Sequence, residues 1–506
     1  MIRQIFAVLV LLAAVIPICA QERPASGKRP NVLFIICDDL TTTALGCYGN
    51  TVCKTPNIDR LAARGVRFER AYCQWPLCWP SRASFLSGQR PDSRFNKVAM
   101  VRSFLPDAEF LPEHFRKNGY FTARVGKIFH CKTVFNNSVS YEDPACWDVS
   151  ELGGTDTDPC GYAVQFSTYP KGLPAHPEIE KYIDHHELLN KAGNPGYDYW
   201  MDMAAVNLPD EGFTDGTIAK RISQLMDEHA KADKPFFLAA GFRRPHLLWV
   251  APKQYFDMYP PAEMKLAEFP ADDLNDIPKL ALTRRAPEMS PLQRQTAISS
   301  YYACVSFVDA QLGKLVDQMD KLKLWDSTIV VFTSDHGWHL GEHDSLWGKV
   351  TLFQEASKVP LIIAAPGLKP GASPRTVEML DIYPTLIDLA GMAGLSTPKN
   401  LDGVSLRPLL NDPEMKRDRP AFTVLKHSGK WGKSINTERY RYTEWADGQG
   451  SAELYDLQAD PKEFHNLAKD ESAASVREQL KKTLHEALKG MGAHDTTEGA
   501  SENEKE

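Results

Sequence analysis

A basic excess is missing from this chain: 58 lysines and arginines face 65 aspartates and glutamates over 506 residues, for a net charge of −7. That balance excludes the broad positive face of a nucleic-acid binder, so no nucleic-acid partner is expected. Some of the acidity is local, because residues 491–506 hold Asp495, Glu498, Glu502, Glu504 and Glu506 against Lys505 alone. This polar, acidic stretch is expected to be a disordered tail. An anionic substrate must then be gripped by a local group of cations and not by a global field. Internal repeats are missing too, and so is any apolar run of spanning length. The nearest approach, residues 5–18, follows Arg3, contains Pro17 and leads into Cys19-Ala20. It is shorter than the roughly 20 residues a span needs, and reads as a secretory signal over 1–20 cut near Ala20. An uncleaved anchor is the competing reading, and Ile18 argues against a lipid on Cys19. With the signal removed, no stable membrane insertion is expected, and the chain is expected to be secreted or periplasmic. Cysteine is sparse at ten residues, one of them in the signal. Cys146 and Cys160 flank a polar, glycine-rich loop and are the expected disulfide, although connectivity cannot be read from sequence.

What the chain does contain is an α/β pattern. Residues 31–37 (NVLFIIC) form a continuous apolar, β-rich run, as expected of a strand buried on both faces. Runs at 235–240, 327–333 and 359–364 read the same way. Helical patterns lie between them: 56–64 after a Thr55 cap with a stop at Gly65, and 299–321 with Val305, Val308, Leu312, Leu315, Val316 and Met319 at helical spacing. Buried strands alternating with helices predict a large, mostly parallel sheet with helices on both faces. From about Asp412 the pattern turns to short strands at 421–425, 433–436, 440–445 and 453–456, then a helix over 473–488. We expect a catalytic domain over 28–411 and a smaller α+β subdomain with an antiparallel sheet over 412–490.

In such sheets ligands sit beyond the carboxyl ends of the strands. The first strand ends in Asp38-Asp39, and the 327–333 strand runs into Ser334-Asp335-His336-Gly337. Adjacent carboxylates repel unless a positive charge neutralises them. A hard divalent cation does this, and oxygen ligands favour calcium or magnesium over zinc. A helix cap and a surface acid are the bland alternative for Asp38 and Asp39. Next comes Cys78-Trp79-Pro80-Ser81-Arg82, opening a short helix that stops at Gly88. Cys78 then sits at a helix N-terminus, where backbone amides favour an anion. Taken alone, a cysteine there is more often a buried structural thiol or half a disulfide.

The chain resembles the type I, formylglycine-dependent sulfatases of the alkaline-phosphatase superfamily, from about 31 to 467. The resemblance is carried by NVLFIICDDL at 31–40, TPNIDRLAARGVRFERAY at 55–72, CWPSRASFLSGQRP at 78–91, VGKIFH at 125–130, SDHGWHLGEH at 334–343 and ELYDLQADPKEFHNLA at 453–468. Within the family it is most like the iduronate-2-sulfatase branch, through GKIFH, FRRPHLLW at 242–249 and His336 where many relatives have Asn. The resemblance implies that Cys78 is oxidised to formylglycine by a dedicated maturation enzyme that reads Cys-x-Pro-x-Arg. The hydrated aldehyde attacks sulfur through one hydroxyl, and the second releases the resulting sulfate ester, a step a serine cannot supply. By the same resemblance Asp38, Asp39, Asp335, His336 and residue 78 hold one calcium ion. His336 departs from an all-oxygen set and weakens the preference for calcium. Arg82 holds the diol and the metal-bound oxygens. Lys127 and Lys349 bind sulfate oxygens, His130 helps deprotonate the diol, and His246 protonates the departing alcohol.

The substrate is expected to be a sulfated carbohydrate, with the sugar alcohol as leaving group. Trp75, Trp79, Trp249, Trp338 and Trp347 lie near the motifs, although tryptophans there are as readily core packing. Trp338 and Trp79 are the expected sugar contacts, and Arg243 and Arg244 suit bidentate pairing with a uronate carboxylate. The loop over 131–195 is expected to shape the pocket. Two other readings stay open. One is a phosphomonoester or phosphonate hydrolase on the same fold, and the other an inactive carbohydrate-binding relative.

Overall fold

The computed structural model describes residues 28–491 apart from 97, 135–136, 154–182, 189–201, 283–288, 395–397, 450 and 490. The expected signal, the acidic tail beyond Met491, Cys160 and much of the 131–195 loop lie outside the described residues. No helix among the described residues is long and apolar enough to cross a membrane.

Eight strands build the central sheet: β1 (Asn31–Asp38), β2 (Val66–Tyr72), β3 (Phe121–Gly126), β4 (Val149–Glu151), β5 (Phe236–Pro245), β6 (Thr328–Ser334), β7 (Lys358–Ala364) and β8 (Gly371–Glu378). Their order is β8-β2-β7-β6-β1-β5-β3-β4. All neighbours are parallel except at β7, which runs antiparallel to both β6 and β2. The sheet is therefore mixed, mostly parallel, and the apolar run at 359–364 gave no sign of its reversed direction.

The continuous apolar run of β1 is explained by its two faces. Val32, Phe34 and Ile36 enter one hydrophobic cluster, while Leu33, Ile35 and Cys37 enter the other. The helices around these two clusters include α1 (Pro56–Ala62), α2 (Cys78–Ser87), α3 (Leu111–Lys117), α4 (Thr214–His229), α5 (Pro291–Leu322), α6 (Ile382–Leu389) and, further along the chain, α7 (Ala474–Ala487). Side chains of α1, α4 and α5 join the second cluster, and those of α2, α3, α6 and α7 join the first. α5 begins well before the predicted 299. Ser290 accepts from the Gln293 amide and Gln293 reaches back to the Ser290 amide, with Pro291 at the first position, so the start is doubly capped. Thr55 precedes α1 as expected but does not cap it; its hydroxyl accepts from the Gly46 amide and donates to Asp59. Cys146 is a buried thiol, free among the described cysteines, and its expected partner Cys160 lies outside the described residues.

Beyond the sheet, β9 (Ala421–His427), β10 (Lys430–Asn436), β11 (Tyr440–Trp445) and β12 (Ala452–Asp456) form an antiparallel meander backed by α7. This meander is stitched to the segment before α2: the Val424 amide donates to the Gln74 carbonyl at 2.9 Å, and the Thr423 hydroxyl to the Cys73 carbonyl at 2.7 Å. In its interior Arg441 pairs with Glu453 and Glu463, all three buried, and Glu463 also accepts from the Gln354 amide. Burial works against the Arg441 charge, but the two carboxylates more than offset it and hold the guanidinium above its ordinary pKa. Removing one partner of a buried pair strands the other charge, at a cost of about 3–5 kcal/mol. Arg441→Leu is therefore expected to lower the thermal unfolding midpoint by several degrees; a midpoint equal to the parent's contradicts this assignment.

Candidate active site

Register creates the site. β1 and β6 pair in parallel from Asn31↔Thr328 to Cys37↔Ser334, so both strands end at the same level. Asp38-Asp39 and Asp335-His336 are thereby delivered side by side, all four buried. Asp335 ties the two ends together, since one carboxylate oxygen accepts from the Asp39 amide at 3.1 Å and the His336 amide at 3.0 Å. Asp39 has a φ of 66°, which turns the chain sharply after β1.

Cys78 opens α2, and its Sγ lies 3.3 Å from His336 Nε2, 3.0 Å from Lys349 Nζ and 3.8 Å from an Asp39 oxygen. Burial, with Asp38 adding to it, pushes the Cys78 thiol well above its usual pKa. One helical turn on, Arg82 Nε donates to Asp335 at 2.8 Å, and its Nη1 donates to the carbonyls of Lys127 and Ile128 at 2.6 and 3.0 Å. Arg82 thus joins α2, the β6 end and the loop after β3. That loop leaves the sheet where β3 and β5 nearly touch. A Cβ on Gly241 would lie 2.1 Å from the Lys127 carbonyl oxygen, so only glycine permits the Lys127 amide to reach Gly241 O at 2.9 Å. Lys127 Nζ then meets Asp38 at 2.6 Å, and Lys349 Nζ meets Asp39 at 2.9 Å.

Three buried carboxylates and three buried cations share this volume. Burial opposes ionisation of Asp38, yet Lys127, His246 and Arg82 hold its carboxyl well below the ordinary range. Asp39 is lowered against burial by His246, Lys349 and His336. His246 Nε2 lies 3.9 Å from Asp39, while its Nδ1 faces the Leu247 carbonyl, which only accepts. Burial lowers the His246 pKa, with Asp39 opposing it.

The donor set fits a hard divalent cation. One oxygen of Asp38 and one of Asp39 are buried with no hydrogen-bond donor. His336 Nδ1 sits 2.9 Å from the Gly337 carbonyl, so it carries the proton there and the Nε2 lone pair faces Cys78. Potential ligand atoms of Asp38, Cys78, Asp335 and His336 all lie within 4.8 Å of one another, as do those of Asp38, Asp39, Cys78 and His246. His246 at this cluster was expected as an acid, not as a neighbour of the metal ligands.

His130 is buried at the end of the same loop, edge-on to Trp79 and stacked with Tyr141. Glu142 was not foreseen; its buried carboxylate accepts from the Ile128 and Phe129 amides at 3.0 and 2.8 Å. No motif spacing announces a carboxylate that serves backbone amides.

Three expected sugar contacts need correction. Trp79 and Trp338 are 1% and 2% exposed, leaving no face for a sugar to stack on. Trp79 packs on Phe104 and His130, and Trp338 lies edge-on to Trp249 with the Lys349 ammonium 5.9 Å from its ring centre. Arg244 is also buried, and its guanidinium is spent on the carbonyls of Val250 and His246. Arg243 is half-buried, with its amide donating to Asp215.

Comparison with known proteins follows the same lines. Residues 30–392 match the model of the sulfatase family, and residues 341–490 match the C-terminal model of N-sulphoglucosamine sulphohydrolase. A protein of Formosa agariphila named as a sulfatase is 33% identical over 474 residues, covering 90% of this chain and 86% of its own. The iduronate 2-sulfatase of Homo sapiens is 30% identical over 546 residues, covering 89% of this chain and 93% of the human protein. The phosphonate monoester hydrolase of Silicibacter pomeroyi shares the fold with a TM-score of 0.71 at 24% identity, covering 94% of this chain and 100% of that one. With the family match spanning the whole central sheet and both ends of the acidic cluster, the chain belongs to the sulfatase family.

Proposed function

We propose that this chain hydrolyses sulfate esters of a sulfated carbohydrate, with residue 78 matured from cysteine to formylglycine beside one bound divalent cation. The observation that carries the reading is the position of Cys78 Sγ, at a helix N-terminus and within 3.3 Å of both Lys349 and His336. An oxygen placed there lies against a cation, an imidazole and the helix amides, all suited to developing negative charge. Formylglycine supplies a hydroxyl nucleophile and a second hydroxyl that releases the product. The cation, with calcium preferred for the mainly carboxylate donors, supplies neutralising charge for the sulfate oxygens. Asp38, Asp39, Asp335, His336 and residue 78 would hold it.

The protein's own groups divide the remaining work. Lys127 and Lys349, already on the two carboxylates, turn toward sulfate oxygens and stabilise the transition state. Arg82 keeps residue 78 and Asp335 in fixed relation. His130 assists proton removal from residue 78. His246, facing the site through Nε2, protonates the departing alcohol oxygen. Likeness to the human iduronate 2-sulfatase, together with His336 in the cluster, supports a uronate 2-sulfate as the first substrate to try. A maturation enzyme acting on Cys78 and export by the N-terminal segment complete the proposal.

The fold likeness to a phosphonate monoester hydrolase favours a second reading, turnover of phosphonate or phosphate monoesters. Parallel assays on aryl sulfate and aryl phosphate decide between them: the proposal expects sulfate to be preferred, and a preference for phosphate by orders of magnitude rejects it. Lys349→Ala is expected to lower kcat by about 10²–10³-fold, the usual cost of losing one preorganised charge donor; steady-state kinetics on a sulfate ester measures this. Metal binding has a readout apart from turnover. Adding calcium to chelator-treated protein should raise the thermal midpoint, by about 2.7 kcal/mol of stabilisation at a hundredfold excess over Kd. Asp38→Asn should abolish that rise, and a rise that survives places the ion elsewhere.

A further inference from the structure

The turn that carries His246 is held by two buried side chains: Asp215, which no sequence pattern singled out, and Arg244, whose expected role was a different one. Asp215, in the first turn of α4, accepts from the Arg243 amide at 2.8 Å through one oxygen and from the Arg244 amide at 2.9 Å through the other. The Arg244 guanidinium folds back along the same turn, donating through Nε to the Val250 carbonyl at 2.8 Å and through Nη1 to the His246 carbonyl at 3.0 Å. Trp249 Nε1 adds a bond to the Pro245 carbonyl at 3.0 Å, and the His246 amide closes on the Arg243 carbonyl at 3.0 Å. Asp215 is 2% exposed and Arg244 6% exposed. Both are buried, and these four hydrogen bonds go to the main chain of residues 243–250.

We infer that Asp215 and Arg244 are positioning residues for His246: a buried carboxylate fixes the amides of this turn, a buried guanidinium fixes its carbonyls, and together they aim Nε2 at the leaving-group oxygen. The inference rests on the acid role given to His246 above. The physical case is one of cost. Burying an ion removes several kcal/mol of hydration, and placing two in one short turn is sustained only by full hydrogen bonding. Two charges committed to so few backbone groups make the turn rigid. Rigidity matters here because a displacement of about 1 Å at a proton donor costs on the order of a hundredfold in rate. Among the described residues the one ring hydrogen bond of His246 is that of Nδ1 to Leu247 O within the same turn, with Nε2 a looser 3.9 Å from Asp39, so its aim depends on the backbone. The same device recurs across the site, where Glu142 takes the amides of Ile128 and Phe129 while Arg82 takes the carbonyls of Lys127 and Ile128.

A misaimed acid has a signature that general loosening lacks. Protonation matters for a poor leaving group such as a sugar alcohol and hardly at all for 4-nitrophenolate. The test measures kcat/KM of Asp215→Asn for 4-nitrophenyl sulfate and for a 2-sulfated uronate disaccharide, or the sugar sulfate the parent cleaves fastest, in one preparation. The ratio of the two is independent of how much enzyme is folded or matured. We expect the aryl-to-sugar ratio to rise by about 10–100-fold, a partial loss of the roughly 10²–10⁴-fold that general acid catalysis contributes. His246→Gln marks the upper limit of the same ratio. Hydrogen exchange at the Arg243 and Arg244 amides should quicken in Asp215→Asn, because an asparagine oxygen serves only one of them. Should that variant not accumulate as folded protein, Arg244→Lys reports on the same turn through the same ratio. A ratio equal to the parent's, with both substrates falling in parallel, overturns the inference. A parent enzyme without sulfatase activity overturns the proposed function instead, and an unchanged ratio in His246→Gln overturns the acid role and the inference with it.

Discussion

Asp38, Asp39 and Asp335 are brought into one buried volume by the level ends of two parallel strands, and the rest of the site answers that concentration of charge. Each buried ion costs several kcal/mol of lost hydration, and like charges at this spacing repel further. Arg82, Lys127 and Lys349 supply three cations in direct contact with the three carboxylates. Balance is then reached without the divalent ion. A bound divalent cation would leave the cluster net positive, the sign a sulfate ester needs. A chain with a net charge of −7 can therefore bind an anion, because the attraction is built over a few ångströms and not over its surface.

Holding that arrangement is the work of side chains bonded to backbone. The loop from Lys127 to His130 has its carbonyls on Arg82 and its amides on Glu142, and the Asp39 and His336 amides share one oxygen of Asp335. Loops of a parallel sheet have no ladder to fix them once the strands end. Buried carboxylates and guanidiniums replace it, so the reactive groups keep their geometry in a region with no regular secondary structure. The antiparallel meander supports this from behind, by bonding the segment that leads into Cys78.

Much of this was legible in the sequence because it follows from local pattern. Two-faced burial makes β1 and β6 read as unbroken apolar runs, and the acids directly after them mark the carboxyl ends. Cys78, Arg82, Lys127, His130, His246, Asp335, His336 and Lys349 came from motifs, and the structure gathers them around residue 78, with His130 against Trp79. What escaped depends on partners far away in sequence. The reversal of β7 is set by its neighbours β2 and β6, not by its composition. Glu142 and Asp215 serve backbone amides, a role with no fixed spacing. Trp79, Trp338 and Arg244 misled for the opposite reason: their proximity to motifs suggested substrate, whereas packing and carbonyl bonding had already claimed them.

The central claim is that residue 78 works as an aldehyde-derived oxygen nucleophile held in this cluster. Mass spectrometry of the peptide spanning Cys78, taken from active protein isolated from its own producing cell, tests it most directly. The account predicts that the thiol is replaced by an aldehyde oxygen in the active fraction. An intact cysteine in protein that still turns over sulfate esters would contradict it.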